Sequence, residues 1–218
     1  MIENKRPKYL RYLLFISAIG FLGLTAMVVI YPPTEIDKWF SLAIQEHSCP
    51  LFDGFMFAVS MVGYMHITIP VVLCTALIFL LCGYRREALF TALTLCSGLI
   101  SSVVKYFVNR PRPTSDLVRV IEITRQQSFP SGHVMFYTVF FGMLIYLMYR
   151  LKQLPGAIRL PVSILSASMI ILISISRIYL GAHWLTDVLA GYLLGFLFLN
   201  LLIWLYRQNE QRTLLNIK

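Results

Sequence analysis

The chain has 218 residues, of which 58% are hydrophobic and 13% charged, and its mean hydropathy is +0.72. A soluble domain carries about 25% charged residues, and a core of this size cannot hide so large an apolar excess from water. The composition therefore excludes an ordinary soluble globular protein, a disordered chain and a disulfide scaffold, and favours one membrane-embedded domain over residues 1–218. The net charge of +9 does not indicate nucleic-acid binding, because the 19 basic residues are scattered between apolar runs.

The apolar runs predict an all-α, polytopic membrane protein with six transmembrane helices. A spanning helix needs about 20 mostly apolar residues, and lipid favours helices because every backbone polar group must be paired within the segment. The qualifying segments are residues 12–31, 66–83, 88–107, 132–149, 161–180 and 185–206. The first follows basic residues, as a secretory signal does, but it is too long and has no small-residue cleavage site, so we interpret it as a retained helix.

Residues 32–65, between the first two spans, carry an amphipathic pattern that predicts a helix in the membrane interface. Its apolar positions are Ile36, Trp39, Phe40, Ala43 and Ile44, and its polar positions are Glu35, Asp37, Lys38, Gln45 and Glu46. The following run, residues 51–64, is apolar but too short to span, and is interpreted as re-entrant or interfacial. Whether this segment gates substrate entry or is only a structural lid stays open.

The basic residues predict the orientation of the protein in the membrane. An even number of spans places both termini on one side, and that side holds twelve of the 19 basic residues. They are Lys5, Arg6, Lys8, Arg11, Arg85, Arg86, Arg150, Lys152, Arg159, Arg207, Arg212 and Lys218. Since basic residues are enriched on the cytoplasmic side, we expect a plasma (inner) membrane protein with cytoplasmic termini and its two long loops outside.

Polar residues cluster at predicted helix ends on the outer side, and such residues mark functional sites in membrane proteins. The clusters are Lys105 with Arg112-Pro113, Pro130-Ser131-Gly132-His133, and Ser176-Arg177 with His183 and Asp187. The topology brings all three to one depth in the membrane, although it does not prove that they converge.

Five of these residues have the chemistry of a phosphate site. Lys105, Arg112 and Arg177 supply positive charge, and the two guanidinium groups match phosphate oxygens in geometry. Ser131 and Gly132 precede a helix, whose N-terminal N–H groups favour an anion, and a glycine lets an oxyanion approach the backbone. No acidic cluster suited to magnesium or calcium accompanies them, so we expect neither a metal nor another cofactor.

The remaining three residues can perform phosphoryl transfer. His183 and Asp187 are spaced i, i+4, so on one helix the carboxylate would fix the imidazole tautomer and leave the other ring nitrogen free to attack phosphorus. His133 would then act as the general acid for the leaving group and afterwards as the base for water. Taken alone, each of these features has a structural explanation, but their combination favours a catalytic site.

In order and spacing, these three clusters resemble the three-part signature of the type-2 phosphatidic-acid phosphatase superfamily. The motif-bearing region runs from residue 105 to residue 187, and the six-helix pattern extends the likeness over nearly the whole chain. The resemblance implies a metal-independent phosphatase in which His183 is the nucleophile that forms a phosphohistidine, Asp187 its partner and His133 the acid. It further implies that Lys105, Arg112, Ser131, Gly132 and Arg177 hold the phosphate.

The resemblance also implies a lipid substrate dephosphorylated on the non-cytoplasmic face. Candidates are undecaprenyl diphosphate, phosphatidylglycerol phosphate and phosphatidate, and membrane lipids are the other expected partners. Two alternatives stay open: a phosphotransferase that passes the phosphate to another lipid, and a non-catalytic lipid-binding or transport protein. The sequence leaves the substrate and the oligomeric state undecided.

Several other residues receive structural interpretations. Gly191 and Gly195 form a Gly-x-x-x-Gly pair that predicts helix packing within the monomer. Arg110 is left out of the group expected to contact phosphate. For Arg119, Arg125, Asp116 and Glu122 the alternatives are a role in substrate choice and a solvated loop, and the loop is preferred. The cysteines fit no zinc pattern, and only Cys49 lies in a predicted outer loop, so no intramolecular disulfide is expected.

Overall fold

The computed structural model describes residues 8–31, 33–124 and 126–215, with side chains described as far as residue 209. Every regular element in these ranges is helical. The elements are α1 (Lys8–Ile30), α2 (Glu35–Gln45), α3 (Pro50–Met61), α4 (Met65–Leu81), α5 (Arg85–Ala92), α6 (Cys96–Val108), α7 (Gly132–Arg150), α8 (Gly156–Tyr179) and α9 (Leu185–Leu215). A short 3₁₀ turn, Leu93–Leu95, joins α5 to α6. The predicted all-α class is confirmed.

Five of the predicted spans are continuous helices of membrane length. They are α1, the joined α5 and α6, α7, α8, and α9. The second predicted span, residues 66–83, corresponds to α4, which has only 17 residues and is preceded by α3 at a bend of 56°. By length and composition, α3 and α4 taken together make the sixth candidate span, and this bent pair, called the broken span below, begins near the polar end of the bundle.

Helix α7 lies at the centre of the bundle. About two thirds (67%) of its apolar window is buried, against 11% for α1 and for α8, whose remaining surfaces are left to lipid. Aromatic and aliphatic side chains such as Tyr137, Phe140 and Leu147 are buried on successive turns, which explains why this helix is apolar on most of its circumference. The first turn of α7 is therefore held firmly at the end of the bundle where the predicted site residues lie.

Two glycines bring α9 against α7. A Cβ atom on Gly191 would lie 2.8 Å from the backbone oxygen of Ser131, and one on Gly195 would lie 2.9 Å from the Cβ atom of Thr138. Neither position has room for a side chain, so the backbones approach closely. The prediction that this Gly-x-x-x-Gly pair packs helices within the monomer is confirmed. The contact also brings the start of α7 next to the start of α9.

Helix α2 is amphipathic, as predicted, and part of its polar face is buried. Asp37 is fully buried and Gln45 is nearly so, whereas Trp39 is 67% exposed. Two of the polar positions of α2 therefore face the protein interior, while an apolar side chain faces outward. The physical reason is that lipid surrounds the outside of a membrane protein, so an apolar side chain is stable there while carboxylate and amide groups need partners inside.

The loop of residues 109–131 crosses the end of the bundle. It begins at Asn109, which ends α6 in the left-handed region with φ 47°, a conformation that asparagine tolerates better than most residues. Gln45 of α2 fixes the loop by donating to the backbone oxygens of Arg119 and Tyr179 at 2.7 and 2.8 Å. The loop and α2 thereby cover the ends of α6, α7, α8 and α9.

Candidate active site

The centre of the site is a pair formed by His183 and Asp187. His183 lies in the turn between α8 and α9 and is only 1% exposed, with its Nδ1 atom 3.5 Å from Oδ2 of Asp187. The same carboxylate oxygen accepts hydrogen bonds from the Ser128 hydroxyl at 2.5 Å and from the Trp184 backbone N–H at 2.9 Å. Asp187 is thus held as a fixed acceptor in the first turn of α9, and it lies next to His183, although His183 precedes the helix rather than sharing a face of it.

The other ring nitrogen of His183 faces a guanidinium group. Its Nε2 atom lies 3.3 Å from Nη1 of Arg112, which also donates to the backbone oxygen of Ala182 at 2.5 Å. Burial lowers the pKa of Arg112 to about 10, so it remains charged at neutral pH. A group bound at Nε2 of His183 would therefore lie next to the positive charge of Arg112.

His183 is a neutral imidazole for a clear physical reason. Burial lowers its pKa well below the ordinary value, and the positive charges of Arg112, Lys105 and Arg177 lower it further. A neutral imidazole keeps the lone pair that a nucleophile needs. These three cations come from a loop, α6 and α8, so their combined effect on one ring shows that the predicted charges converge.

Lys105 and the start of α7 form the next part of the site. Lys105 is buried, and its Nζ atom donates to the backbone oxygens of Gln127 and Ser128 at 2.6 and 3.2 Å. An ammonium group has three N–H groups, so the third can donate to a ligand. The Ser131 N–H donates to the backbone oxygen of Asp187 at 3.0 Å. A Cβ atom on Gly132 would lie 3.9 Å from Cε of Lys105, so the glycine and the lysine are neighbours.

His133 lies in the first turn of α7, where its ring meets the broken span. The ring packs edge-on against Tyr64, with centroids 5.3 Å apart. A Cβ atom on Gly63 would overlap Cδ2 of His133, so the imidazole occupies space that only a glycine leaves free. The break between α3 and α4 therefore determines where the predicted general acid lies.

Arg177 is fully buried and forms an ion pair with Glu122 of the loop. Its Nη1 and Nη2 atoms donate to the two carboxylate oxygens of Glu122 at 2.6 and 2.8 Å, and Nη1 also donates to the Ser60 hydroxyl. The interpretation of Glu122 as part of a solvated loop is therefore wrong. Burial raises the pKa of Glu122, but the hydrogen bonds and charge of Arg177 outweigh that effect and lower it, so the pair is ionic.

Three of the predicted residues have a buried polar atom with no hydrogen-bond partner. They are Ser131 at Oγ, His133 at Nε2 and Arg177 at Nε. The Oγ atom of Ser101 is a fourth, and it lies 3.2 Å from the position of a Cβ on Gly132. A buried polar group without a partner costs about 1–3 kcal/mol, so such a concentration indicates groups prepared for a polar ligand. Arg177 Nε can only donate, and the hydroxyls and the imidazole can donate as well, so these atoms suit a ligand that offers acceptor oxygens.

Sequence reasoning missed several polar residues that complete the site. Arg110, which was not expected in the site, donates to Asp187 Oδ1 at 2.5 Å and is 2% exposed. Ser128, Glu122 and Asp37 were missed as well. Only Arg110 had a visible signal, because it stands two residues before Arg112. Among the residues that the structure describes, no group of three or more His, Cys, Asp or Glu side chains could hold a metal ion.

Fold and site together define a helical membrane protein in which buried basic and polar side chains surround a buried histidine at one end of the bundle. The chain belongs to the PAP2 superfamily, whose family model matches residues 86–211 and thus includes every predicted site residue. The predicted family resemblance is confirmed.

Two curated relatives were found by sequence. The chain is 36% identical to phosphatidylglycerophosphatase B from Bacillus subtilis over 101 residues, which cover 45% of this chain and 47% of the relative. It is 28% identical to an undecaprenyl-diphosphatase from Sulfolobus acidocaldarius over 147 residues, which cover 66% of this chain and 65% of the relative. The chain thus spans about half to two thirds of the curated relatives that it matches.

Two solved structures share the fold. The first is a transmembrane PAP2-type phosphatidylglycerolphosphate phosphatase from Bacillus subtilis, with a TM-score of 0.74 and 25% identity over 92% of this chain and 97% of that one. The second is Aquifex aeolicus LpxE, with a TM-score of 0.62 and 21% identity over 79% of this chain and 97% of that one. The likeness to the first confirms a transmembrane fold of this family over nearly the whole chain.

Proposed function

We propose that this protein is a metal-independent membrane phosphatase that removes phosphate from a lipid phosphate or diphosphate on the non-cytoplasmic face. The observation that carries this proposal is the set of unpartnered buried atoms on Ser131, His133 and Arg177, beside a neutral His183 that faces Arg112. A phosphate group supplies the oxygens that these groups lack. The names of the two curated relatives support phosphatidylglycerol phosphate and undecaprenyl diphosphate as substrates, with phosphatidate as a third candidate.

The reaction proceeds in two steps. Nε2 of His183 attacks phosphorus while the bond from phosphorus to the leaving oxygen breaks, and His133 gives its proton to that oxygen. Water then attacks the phosphohistidine and passes a proton to His133, the P–N bond breaks, and inorganic phosphate leaves. Lys105, Arg112 and Arg177, with Ser131 and Gly132 at the start of α7, balance the charge of the equatorial oxygens.

The two carboxylates have different tasks in this scheme. Oδ2 of Asp187 lies 3.5 Å from Nδ1 of His183, so its charge favours a proton on that nitrogen and stabilises the positive charge that the ring acquires in the phosphohistidine. Glu122 balances Arg177 before substrate arrives. Positioning and charge stabilisation supply most of the catalysis in phosphoryl transfer, so the site needs no further reactive group.

The test is phosphate release by the purified protein in detergent with EDTA present. The panel is undecaprenyl diphosphate, phosphatidylglycerol phosphate and phosphatidate, assayed with the wild-type protein, His183→Ala and His47→Ala. His47 is an exposed histidine outside the site, so it is the matched control. We expect turnover of at least one lipid by the wild type and His47→Ala, and none by His183→Ala. Equal release by all three proteins, or none by the wild type, would contradict the proposal.

A further inference from the structure

A buried cation, Arg110, lies between two carboxylates from different parts of the fold. Its Nη1 atom donates to Oδ1 of Asp187 at 2.5 Å, and its Nη2 atom donates to Oδ2 of Asp37 at 2.7 Å. All three side chains are 0% exposed. One positive charge is therefore shared by two negative charges, away from any solvent that could screen them.

Asp37 also binds directly to the first turn of α9. Its Oδ1 atom accepts from both the backbone N–H and the hydroxyl of Thr186 at 2.9 Å. The same hydroxyl accepts a hydrogen bond from Nη1 of Arg110 at 2.7 Å. Asp37 thus fixes both the arginine that contacts Asp187 and the residue immediately before Asp187 in the chain.

Besides binding Arg110 and Thr186, Asp37 also caps helix α2. Thr34 and Asp37 form a capping box at the start of α2, in which the backbone N–H of each residue donates to the side-chain oxygen of the other at 3.3 Å. The Thr34 hydroxyl also donates to Oδ2 of Asp37 at 2.8 Å. Capping a helix by itself does not require a buried carboxylate bound to an arginine, because exposed capping boxes are common on protein surfaces. The cap therefore leaves the contacts with Arg110 and Thr186 unexplained.

We infer that Asp37, on the interfacial helix α2, is a positioning residue for the catalytic carboxylate Asp187 and acts on it through Arg110. This inference rests on the proposed phosphatase function. With Asp37 ionised, Arg110 divides its charge between two carboxylates, and Asp187 stays a strong acceptor for the His183 ring. With Asp37 neutral, the full charge of Arg110 falls on Asp187, which then stabilises the charged imidazole ring less well.

Loss of the Asp37 charge should affect the chemical step, which is the attack of His183 on phosphorus, and not the binding of substrate. No residue expected to hold the phosphate hydrogen-bonds to Asp37 in the part of the chain that the structure describes. Neutralising Asp37 should therefore slow formation of the phosphohistidine without weakening the binding of a phosphate group. A residue that only stabilised the fold would instead lower the amount of active protein and leave the turnover of each folded molecule unchanged.

The experiment compares the wild type, Asp37→Asn and Thr34→Ala. Thr34→Ala is the matched control, because it removes the capping hydroxyl and keeps the carboxylate on Arg110. For each protein we would measure kcat and KM on a lipid that the wild type hydrolyses, inhibition by orthovanadate as a phosphate analogue, and monodispersity in detergent. For Asp37→Asn we expect kcat to fall by about tenfold to hundredfold, with KM and vanadate inhibition within about threefold of wild type. Thr34→Ala should keep nearly all of its turnover.

The outcomes distinguish a failure of the proposed phosphatase function from a failure of the positioning role of Asp37. No phosphate release by the wild type overturns the proposed function and this inference with it. Full turnover by Asp37→Asn, or an equal loss of kcat in Thr34→Ala, overturns the positioning role alone. If Asp37→Asn is not recovered as a folded protein, Thr186→Val carries the test, since it removes the hydroxyl between Asp37 and Arg110 and keeps every charge. It should show a smaller fall in kcat, and wild-type turnover there would overturn the inference.

Discussion

Burial and three nearby positive charges together determine the pH range in which His183 can act. Burial lowers the pKa of His183 most, followed by the charges of Arg112, Lys105 and Arg177. Protonation of the ring removes the lone pair that attacks phosphorus. Because the pKa lies below the ordinary value of about 6.5, the neutral fraction of the free protein declines only when the pH falls through that lowered value. We therefore expect His183 to remain a nucleophile in mild acid.

Removal of Arg112 should narrow this range. With Arg112→Gln, one positive charge next to Nε2 disappears, the pKa of His183 rises, and the acidic limb of kcat/KM should move to higher pH. The measurement is the pH profile of kcat/KM for wild type and variant on one substrate, so that the titration of the substrate itself cancels in the comparison. Since Arg112 is also expected to bind phosphate, the absolute rate will fall. An acidic limb that stays in place or moves to lower pH would contradict the assignment.

Glu122 and Arg177 offer a test of stability at the scale of single residues. Breaking a buried ion pair leaves a charge without compensation and costs about 3 kcal/mol, whereas an exposed pair is worth about 1 kcal/mol or less. Glu122→Gln should therefore lower the melting temperature in detergent. Asp53→Asn is the matched control, because Asp53 forms a similar pair with Arg119, whose side chain is 43% exposed.

The anion that the site is expected to bind should partly reverse the loss. Orthovanadate supplies Arg177 with negative charge, so it should raise the melting temperature of Glu122→Gln by more than that of the wild type. Equal melting temperatures for Glu122→Gln and Asp53→Asn without the anion would show that the buried pair contributes little.

The residues found from sequence and those missed differ in a physical way. His183 and Asp187 are four residues apart where the chain enters α9, so their proximity follows from local spacing. Arg177 and Glu122 are 55 residues apart, and Arg110 and Asp37 are 73 apart. Those pairs depend on how the loop of residues 109–131 and helix α2 fold over the bundle. No local spacing encodes that path, so charged residues in the loop were interpreted as solvated.

At the scale of elements, the break between α3 and α4 determines the position of His133. Gly63 follows α3, and its missing side chain leaves the space that the His133 ring fills. The sequence identified residues 51–64 as too short to span, but it did not indicate that this segment touches the site. The reason is that the contact joins the broken span to α7, which lies far away in the sequence.

Gly63→Ala should therefore reduce activity through the general acid. The added methyl group would overlap the imidazole, so the ring must move, and a misplaced acid should lower kcat by about tenfold or more. Gly54→Ala is the control, because that glycine lies in the same broken span and a Cβ atom there would have no other group within 4 Å. Measured kcat values that are equal for the two variants would show that the position of His133 does not depend on this contact.

At the scale of the whole molecule, hydropathy was sufficient to predict the fold class and five continuous spans. Membrane length and the requirement for paired backbone groups leave few architectures for such a chain. The sequence did not predict which helix is central. Helices α7 and α8 are both apolar, yet 67% of one window and 11% of the other are buried, because burial depends on how the helices pack rather than on their composition.

The orientation of the molecule in the membrane can be tested with two of its own cysteines. Cys49 is exposed and lies just before α3, at the end of the bundle that holds the site. Cys82 is also exposed and follows α4, whose 17 residues carry the chain about 25 Å toward the opposite end. With the site facing away from the cytoplasm, a membrane-impermeant maleimide added to intact cells should label a variant that keeps only Cys49. It should not label a variant that keeps only Cys82 until the membrane is permeabilised.

The physical reason for this expectation is the distribution of basic residues. Arg85, Arg150 and Arg159 lie at the helix ends remote from the site, and moving such charges across a bilayer is unfavourable. Phosphate release by the single-cysteine variants would show that each is folded before it is labelled. Labelling of the Cys82 variant in intact cells, with the Cys49 variant protected, would place the site on the cytoplasmic face. The lipid phosphate would then have to be dephosphorylated in the inner leaflet rather than the outer one.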